Sequence, residues 1–492
     1  MKGRISSRTV TSILAEVASP QAVESATSRK SSRTNNQLKS LGIHTMTGQI
    51  VRADGIVLGE EKGEAVAVHL QDADLRRHVL IVAPSGVGSR ELLAQALSQQ
   101  IERGGAILVF DGDSDTAILN SIASACRKHS RQQDLLVVKP HDPDLSNTYN
   151  VILSSDVEAA VAQALTTVPE AEDNDGVRHN REEIRRGLSI IVSALKRAGL
   201  AYTFLDLSLF IIKPESLQDL LVSLEQVAPD SAETTALSTW LDPFRKDGVI
   251  DPLPLKQRMG GIAGRLYMFA SGKLGKVLNT YAPEVDVRRA LDESKVIYMD
   301  VPGSAQHLVA TALREMIYLD VAGALADRSR DVGGVPPIIV FNGAASCDRA
   351  LANRLLAQGR SMGISTWLRV ASMGDLAKKS AVLAEVVLAN TGSQIVFNLE
   401  GSDESLLFAG SLGREVTGGG SNETSDPVVS CPDDLHDLAS REFVLLSPDA
   451  RARRGFAPRV GDGQEVFTRE QLNRGHGTPR DGADRFTRTS MA

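Results

Sequence analysis

Residues His78–Arg90, HVLIVAPSGVGSR, run from an apolar stretch directly into a turn with two glycines. The apolar part predicts a buried strand, and the residues after Gly88 predict the start of a helix. A strand, a glycine-bearing loop and a helix form the arrangement of a phosphate-binding loop, whose pattern is GxxxxGK[ST]. Against that pattern Ala83 replaces the first Gly, Ser89 the Lys and Arg90 the Ser or Thr, so only Gly88 keeps its fixed position.

These replacements remove the charges that a working loop uses. In such a loop the backbone N–H groups cradle the phosphates, the Lys neutralises the outer phosphate and the hydroxyl holds magnesium. Ser89 supplies no charge, and Arg90 does not ligate a metal. The stretch is therefore either an ordinary connection with a tight glycine turn or a vestigial nucleotide-binding loop. That loop would consist of Pro84, Ser85, Gly86, Val87, Gly88, Ser89 and Arg90.

Composition limits the class of protein. The chain has 492 residues, 42% hydrophobic and 23% charged, which allows one large core or several domains. Aromatic residues make up only 4%, which disfavours a stacking surface for single-stranded nucleic acid. The three cysteines are widely separated and predict neither a disulfide framework nor a zinc site. No apolar run suits a signal peptide or a membrane span, so we expect a cytoplasmic protein whose only membrane association is peripheral, at the inner membrane through a partner.

The net charge of −7 is distributed unevenly. Residues 1–40 carry seven Lys or Arg against two Glu, and residues 451–492 carry nine Arg against five acidic residues. The excess of negative charge therefore lies in residues 41–450, between two basic tails. The tails are either solvated and disordered or make sequence-independent contacts with DNA phosphates.

Strands and helices alternate on both sides of a helical stretch. After the loop, a helix is predicted over 91–103 and then a strand, AILVFDGDSD, which places Asp111, Asp113 and Asp115 at its carboxyl end. These alternating Asp residues either ligate a cation or form turns. The same rhythm resumes with KVIYMDVPG at 295–303 and continues through PPIIVFNGAAS at 336–346.

The predicted fold class is α/β: an open, largely parallel sheet flanked by helices, plus an inserted all-α domain. Five segments are expected. They are a basic disordered tail at 1–45, the first part of the nucleotide-binding domain at 46–155, the all-α insertion at 156–260, the second part of the nucleotide-binding domain at 261–450 and an Arg-rich disordered tail at 451–492.

The segment order resembles that of the coupling-protein ATPases of conjugation and type IV secretion, which are RecA-like DNA pumps. The resemblance covers residues 65–455 and implies a RecA-like P-loop NTPase fold for the sheet and its helices. The family's loop is similar to GPTGSGKT, which APSGVGSR matches at Pro84, Gly86 and Gly88. Its second strand resembles GGxxxxxDxKGD; here Asp111 is kept and Asp113 replaces the Lys. The turn at 149–150 and the segment LANTGSQIVFNL also look like family landmarks.

The same resemblance shows which catalytic groups are lost. The family carries Asp-Glu after the strand that matches PPIIVF, where this chain has Asn342 and Gly343. In the family the Asp supports magnesium and the Glu activates water. The strand that matches ISTWLRV ends in a Gln in the family, whereas residues 370–372 here are Val-Ala-Ser. The degenerate acidic positions are therefore Asp111, Asp113 and Asn342, and no catalytic or metal-ligating residue is predicted.

Three functions follow from the resemblance. The first is a non-hydrolytic pseudo-ATPase, a coupling-protein-like component that binds conjugation or type IV secretion subunits, such as a catalytically intact coupling protein, in a homo- or hetero-oligomer. The second is an active DNA-translocating motor with ATP and Mg²⁺ as cofactors, in which Arg90 supplies charge and Asp111 or Asp113 holds the metal. The third is an interaction scaffold without nucleotide. For single residues, we expect Arg90 to pair with Glu91 or Asp111, and His78 to lie on the surface.

Overall fold

The computed structural model describes twelve stretches of the chain. These are residues 43–46, 49–52, 55–61, 67–153, 156–168, 175–301, 308–326, 334–399, 405–408, 433–447, 452–458 and 466–472. The chain divides into two compact units, residues 1–56 and 57–492. Most of both predicted tails lies outside the described residues.

The first unit contains a short antiparallel hairpin. Its strands are β1 (Ile43–Met46) and β2 (Gln49–Arg52), and Ile43 pairs with Arg52. The strands that follow the hairpin in the chain, β3 (Gly55–Glu61) and β4 (Ala67–Gln71), belong to a larger sheet.

Eleven strands form the large sheet of the second unit. Their order is β4-β3-β15-β14-β13-β5-β12-β11-β6-β10-β7. The strands that follow β4 in the chain are β5 (Val79–Val82), β6 (Ile107–Asp111), β7 (Leu135–Val138), β10 (Val296–Asp300), β11 (Ile338–Asn342), β12 (Ser365–Val370), β13 (Ser393–Phe397), β14 (Glu442–Leu446) and β15 (Arg453–Phe456). The seven strands from β13 to β7 in this order are parallel, and β14, β15 and β3 continue the sheet beyond β13 with antiparallel pairing.

The central strands are apolar because both of their faces are covered. Every residue of β5, β6, β7 and β11 is buried, as expected of parallel strands between two helical layers. The helices that connect them are α1 (Asp72–Leu75), α2 (Ser89–Glu102), α3 (Thr116–Lys128), α11 (Val287–Asp292), α12 (Leu308–Ala326), α13 (Arg349–Gln358), α14 (Met373–Lys379), α15 (Ala381–Asn390) and α16 (Asp433–His436). The predicted α/β fold class is confirmed.

The expected insertion consists mainly of helices. They are α4 (Val157–Leu165), α5 (Asp175–Arg197), α6 (Phe204–Ile212), α7 (Pro214–Val227), α8 (Ala232–Leu241), α9 (Pro252–Ala270) and α10 (Gly272–Leu278), with a small hairpin of β8 (Arg245–Lys246) and β9 (Val249–Ile250). One continuous hydrophobic core runs from the sheet into these helices.

Two segment boundaries expected from the sequence need correction. The boundary at 260 falls inside α9, because Met259 and Ile262 are buried on either side of Gly260 and Gly261 and the helix continues past the glycines. The tail expected from 451 begins with a strand of the sheet, since β15 pairs with β14.

Candidate nucleotide-binding site

The loop at residues 83–88, called the phosphate loop here after the motif it resembles, connects the end of β5 to the start of α2. Gly86 and Gly88 have positive φ angles of 85° and 103°, which glycine adopts readily. A Cβ on Gly88 would lie 2.7 Å from Cγ of Arg441, whereas a Cβ on Gly86 would meet nothing within 4 Å. The N–H of Arg441 also donates to the carbonyl of Val87 at 2.9 Å. The residue before β14 therefore packs directly on the loop.

Four polar side chains form a row beside the loop, at the carboxyl ends of four adjacent parallel strands. Register aligns Arg369 of β12 with Asn342 of β11, Asn342 with Asp111 of β6, and Asp111 with Asp300 of β10. Because directly paired residues project to the same face of a sheet, one register brings all four side chains together. The sequence identified Asp111 and Asn342 in this row and missed Arg369.

Arg369 joins the row to the phosphate loop. Its Nε donates to Oγ of Ser89 at 3.1 Å, and its Nη1 donates to Oδ1 of Asn342 at 2.9 Å. Nη1 also lies 3.6 Å from a carboxylate oxygen of Asp113. The Arg369 side chain is only 12% exposed, and its burial lowers the pKa of the guanidinium. A buried cation of the protein itself thus lies between Ser89 and Asn342.

Asp111 is fully committed to bonds within the protein. Oδ1 accepts from Nδ2 of Asn342 at 2.8 Å and from the N–H of Asp113 at 3.1 Å. Oδ2 accepts from the Tyr298 hydroxyl at 2.5 Å and from the N–H of Asp115 at 2.8 Å. A carboxylate has about four acceptor positions, so these bonds use all of them. Burial and the nearby Asp111 carboxylate raise the pKa of Tyr298, which keeps its hydroxyl a donor.

Gly343 directly follows β11 and lies against Asp113. Its φ is 86°, and a Cβ at this position would lie 2.2 Å from Oδ1 of Asp113. Asp113 thus takes the space beside the backbone that a side chain at 343 would need. Burial is the main cause that raises the pKa of Asp113, and Arg369 opposes it.

Arg90 forms an ion pair with Asp115 and does not act as a substitute cation in the loop. Its Nε donates to Oδ2 of Asp115 at 2.6 Å, and the Arg90 side chain is 49% exposed. The expected pairing with Glu91 or Asp111 is therefore wrong. The pairing with Asp115 arises because Asp115 is the N-cap of α3, where its Oδ1 accepts the N–H of Ala117 beside the start of α2.

His78 lies inside the protein, and the expectation that it lies on the surface is wrong. It is 2% exposed and has a φ of 67°, at the start of β5. Its Nδ1 accepts the N–H of Thr366 at 3.1 Å. Burial lowers the pKa of His78 to about 4, so the imidazole is neutral at physiological pH. It lies at the opposite end of β5 from the phosphate loop.

These residues do not fit a Mg²⁺-bound nucleotide. Ser89 replaces the lysine, an amide and a glycine replace the two acidic side chains, and the retained carboxylate of Asp111 has no acceptor position left. Among the residues that the structure describes, no group of three or more His, Cys, Asp or Glu is arranged to hold a metal. The backbone of the loop and of the strands around it does have the arrangement of a phosphate-binding loop.

The chain has an α/β fold in which a strand, a glycine-bearing loop and a helix meet at one edge of a largely parallel sheet. Among solved structures, the chain is similar to the bacterial conjugative coupling protein TrwBdeltaN70 in an unbound form, with 14% identity over 88% of this chain and 94% of that one and a TM-score of 0.52. The plasmid coupling protein TrwB in complex with the GTP analogue GDPNP gives 14% identity, coverage of 88% and 95%, and a TM-score of 0.53. TrwB with an ATP analogue gives 15% identity, the same coverage and a TM-score of 0.51.

These likenesses are in fold. No protein-family model matches the sequence, and no curated protein matches it at a significant level. Within the part of the chain that the structure describes, no helix combines the length and hydrophobicity needed to cross a membrane.

Proposed function

We propose that this chain is a non-hydrolytic, coupling-protein-like component of a conjugative DNA-transfer or type IV secretion apparatus, working on the cytoplasmic side. The shared fold with TrwB supports the class of apparatus. One observation supports the loss of hydrolysis: Arg369 donates to both Ser89 and Asn342, the residues that stand at the Lys and Asp positions of a working site, so an internal cation holds side chains that would otherwise face magnesium and phosphate.

The network also argues against an active motor with substitute residues. That function needs Arg90 to face the phosphates and Asp111 to hold magnesium. Arg90 is paired with Asp115 instead, and all acceptor positions of Asp111 are used. Electrostatic stabilisation by groups aimed at the reacting phosphate is the main source of catalysis in phosphoryl transfer. Without such groups, the expected rate of ATP hydrolysis is that of background.

The test is ATP binding by calorimetry, with and without Mg²⁺, followed by phosphate release on the same sample in the presence and absence of DNA. We expect no phosphate release, and Mg²⁺ should not change any heat of ATP binding. A matched pair of variants makes the result specific: Arg369→Ala removes the internal cation, and Lys378→Ala removes an exposed lysine whose nearest partner is Asp375. Phosphate release by the wild type that Arg369→Ala abolishes and Lys378→Ala preserves would refute the proposal.

The proposed partners are other subunits of the apparatus, including a catalytically intact coupling protein, within a homo- or hetero-oligomer. The basic residues of 1–40 and 451–492 are proposed to contact DNA phosphates. Binding of this kind weakens steeply with salt, by about one power of the salt concentration for each phosphate contact. Deleting residues 1–40 should therefore reduce both the affinity and the salt dependence of DNA binding. Salt-independent absence of binding, together with a tight protein partner, would favour a scaffold without DNA contacts.

A further inference from the structure

The chain's own residues Val466–Leu472 occupy a groove at the β7 edge of the sheet. We call this stretch the docking segment, and we call its site, formed by α3, residues 132–134 and the start of β7, the α3–β7 groove. Only Phe467 and Leu472 of the segment are buried, at 4% and 8% exposure, while Val466 is 70% exposed. Two anchors separated by exposed residues are typical of a short peptide bound to a surface.

The groove recognises the backbone of the segment as well as its anchors. Oδ1 of Asn120, on α3, accepts the N–H of Phe467 at 2.7 Å. The ion pair between Arg469 and Asp144 is 3.6 Å long and its side chains are 66% and 78% exposed, so it adds little. Recognition therefore depends on the two apolar anchors and on one partly buried hydrogen bond.

Hydrogen bonds within the segment favour its bound conformation. Thr468 and Gln471 form a reciprocal capping box around a single 3₁₀ turn, in which the N–H of Thr468 donates to Oε1 of Gln471 at 2.9 Å. A peptide that is ordered before binding loses less conformational entropy when it binds. Residues 468–471 thus set the spacing between the Phe467 and Leu472 anchors.

The docking segment does not fill its site. A cavity of about 380 Å³ remains between Leu472 and Gln471 on one side and Ala123, Cys126 and Leu135 on the other. The cavity is open to solvent, so the segment is held by two apolar anchors and one hydrogen bond with free space beside them. Such a limited contact is suited to an occupant that can leave and be replaced.

We propose that the α3–β7 groove is a peptide-docking site for Phe-x-x-x-x-Leu segments, and that a second copy of this chain supplies the segment when the intramolecular contact is released. The same contacts then join two copies, because exchange of an identical element between protomers needs no new surface. In one copy the linked segment competes at an effective concentration in the millimolar range, so isolated chains favour the intramolecular state. This proposal is independent of ATP hydrolysis.

The first test uses a labelled peptide of residues 464–474 and the full-length double variant Phe467→Ala/Leu472→Ala, whose own segment no longer competes. We expect the peptide to bind this variant at least about tenfold more tightly than wild type, because the linked competitor is lost. Val466→Ala is the matched control: it changes an exposed residue of the same segment and should bind like wild type. Adding Asn120→Ala to the double variant should weaken peptide binding about fivefold or more.

The second test mixes two complementary full-length chains. One is the Phe467→Ala/Leu472→Ala variant, with a free groove and no anchors, and the other is Asn120→Ala, with intact anchors and a weakened groove. We expect a mixture of the two to form a one-to-one complex in sedimentation, with less association in either variant alone. Peptide binding without a complex in the mixture would overturn the assignment of a second copy as the partner.

Hydrogen exchange on the unchanged wild-type chain keeps the proposal testable if a variant fails to fold. Excess peptide should accelerate exchange at 466–472 by displacing the docking segment, while exchange in α3 stays slow. No acceleration with the peptide, and no peptide binding to variants that unfold cooperatively, would overturn the proposal.

Discussion

Nη1 of Arg369 donates to Oδ1 of Asn342 at 2.9 Å, across two neighbouring parallel strands. Nδ2 of the same Asn342 donates to Asp111. The amide therefore connects a cation to a carboxylate, which an Asp at this position would not do, because it has no donor to offer Asp111. Asn342 and Arg369 are therefore parts of one hydrogen-bonded arrangement.

Removal of Arg369 should destabilise the protein. Arg369→Ala leaves the Ser89 hydroxyl and the Asn342 carbonyl, both buried, without this donor. Hydrogen bonds to charged groups contribute about 1.5–3 kcal/mol, so we expect a loss of about 2 kcal/mol in the free energy of unfolding by urea. Lys378→Ala, at an exposed ion pair, should change it by less than about 0.5 kcal/mol. Equal stabilities for the two variants would contradict a structural role for Arg369.

Asp111 and Asp113 should differ in their contributions to stability although they are two residues apart. Asp111→Asn places an amide donor among four groups that already donate to this side chain, and we expect a loss of about 3 kcal/mol. Asp113→Asn should cost less than about 1 kcal/mol, because this side chain is 48% exposed and makes one long ion pair. Urea unfolding of both variants checks the difference.

The same saturation of Asp111 predicts that magnesium does not stabilise the chain. A ligand that binds the folded state raises its melting temperature. We therefore expect millimolar Mg²⁺ to leave the melting temperature of the wild type unchanged, measured at constant ionic strength against NaCl. An increase with Mg²⁺ that disappears in Asp111→Asn would show that Asp111 ligates the metal after all.

The fold could be predicted because its strands carry their own signal. Stretches such as VLIV and ILVF are apolar throughout, as expected of strands buried on both faces. The strand RRGF at 453–456 carries no such signal, and it forms because β14 on one side and β3 on the other offer backbone partners. A pattern read along the chain does not contain this information.

The candidate site was predictable only in part for the same reason. The lost charges at Ser89 and Asn342 are visible by comparison with a motif. The role of Arg369 depends on β12 lying next to β11 in register, which brings residues 342 and 369 together. The one available signal was a lone Arg within the apolar strand segment ISTWLRV. His78 likewise followed a charged stretch and so suggested the surface, although its side chain accepts a bond from Thr366.

Substitutions of Gly86 and Gly88 distinguish the steric cost of a new side chain from the cost of its backbone conformation, both measured as a loss of stability. Gly86→Ala and Gly88→Ala both place an L residue at positive φ, which costs about 1–2 kcal/mol. Only at Gly88 does the new Cβ also meet Arg441, including its Cα at 3.0 Å. We expect Gly88→Ala to lose about 1–3 kcal/mol more than Gly86→Ala in urea unfolding. The double variant Gly88→Ala/Arg441→Gly should recover part of that difference, and no recovery would place the cause elsewhere.

Protonation of His78 should weaken the fold as the pH falls. The pKa of His78 is about 4 in the folded protein and 6.5 in the unfolded chain, so between these values the unfolded state binds more protons. Stability should therefore be complete above pH 6.5 and decrease as the pH falls toward 4, by up to about 3 kcal/mol in total. Urea unfolding at a series of pH values from 7.5 to about 4.5 measures the slope.

Asn is the informative replacement for His78. It tolerates a positive φ, and its Oδ1 can accept the Thr366 N–H in place of Nδ1, but it does not titrate. His78→Asn should therefore keep most of the stability at pH 7.5 and reduce the slope between pH 6.5 and 4. His141→Asn, at an exposed position, should leave the slope as in wild type. If His78→Asn keeps the full slope, other groups cause the acid sensitivity, and His78 is already protonated in the folded protein or not buried as described.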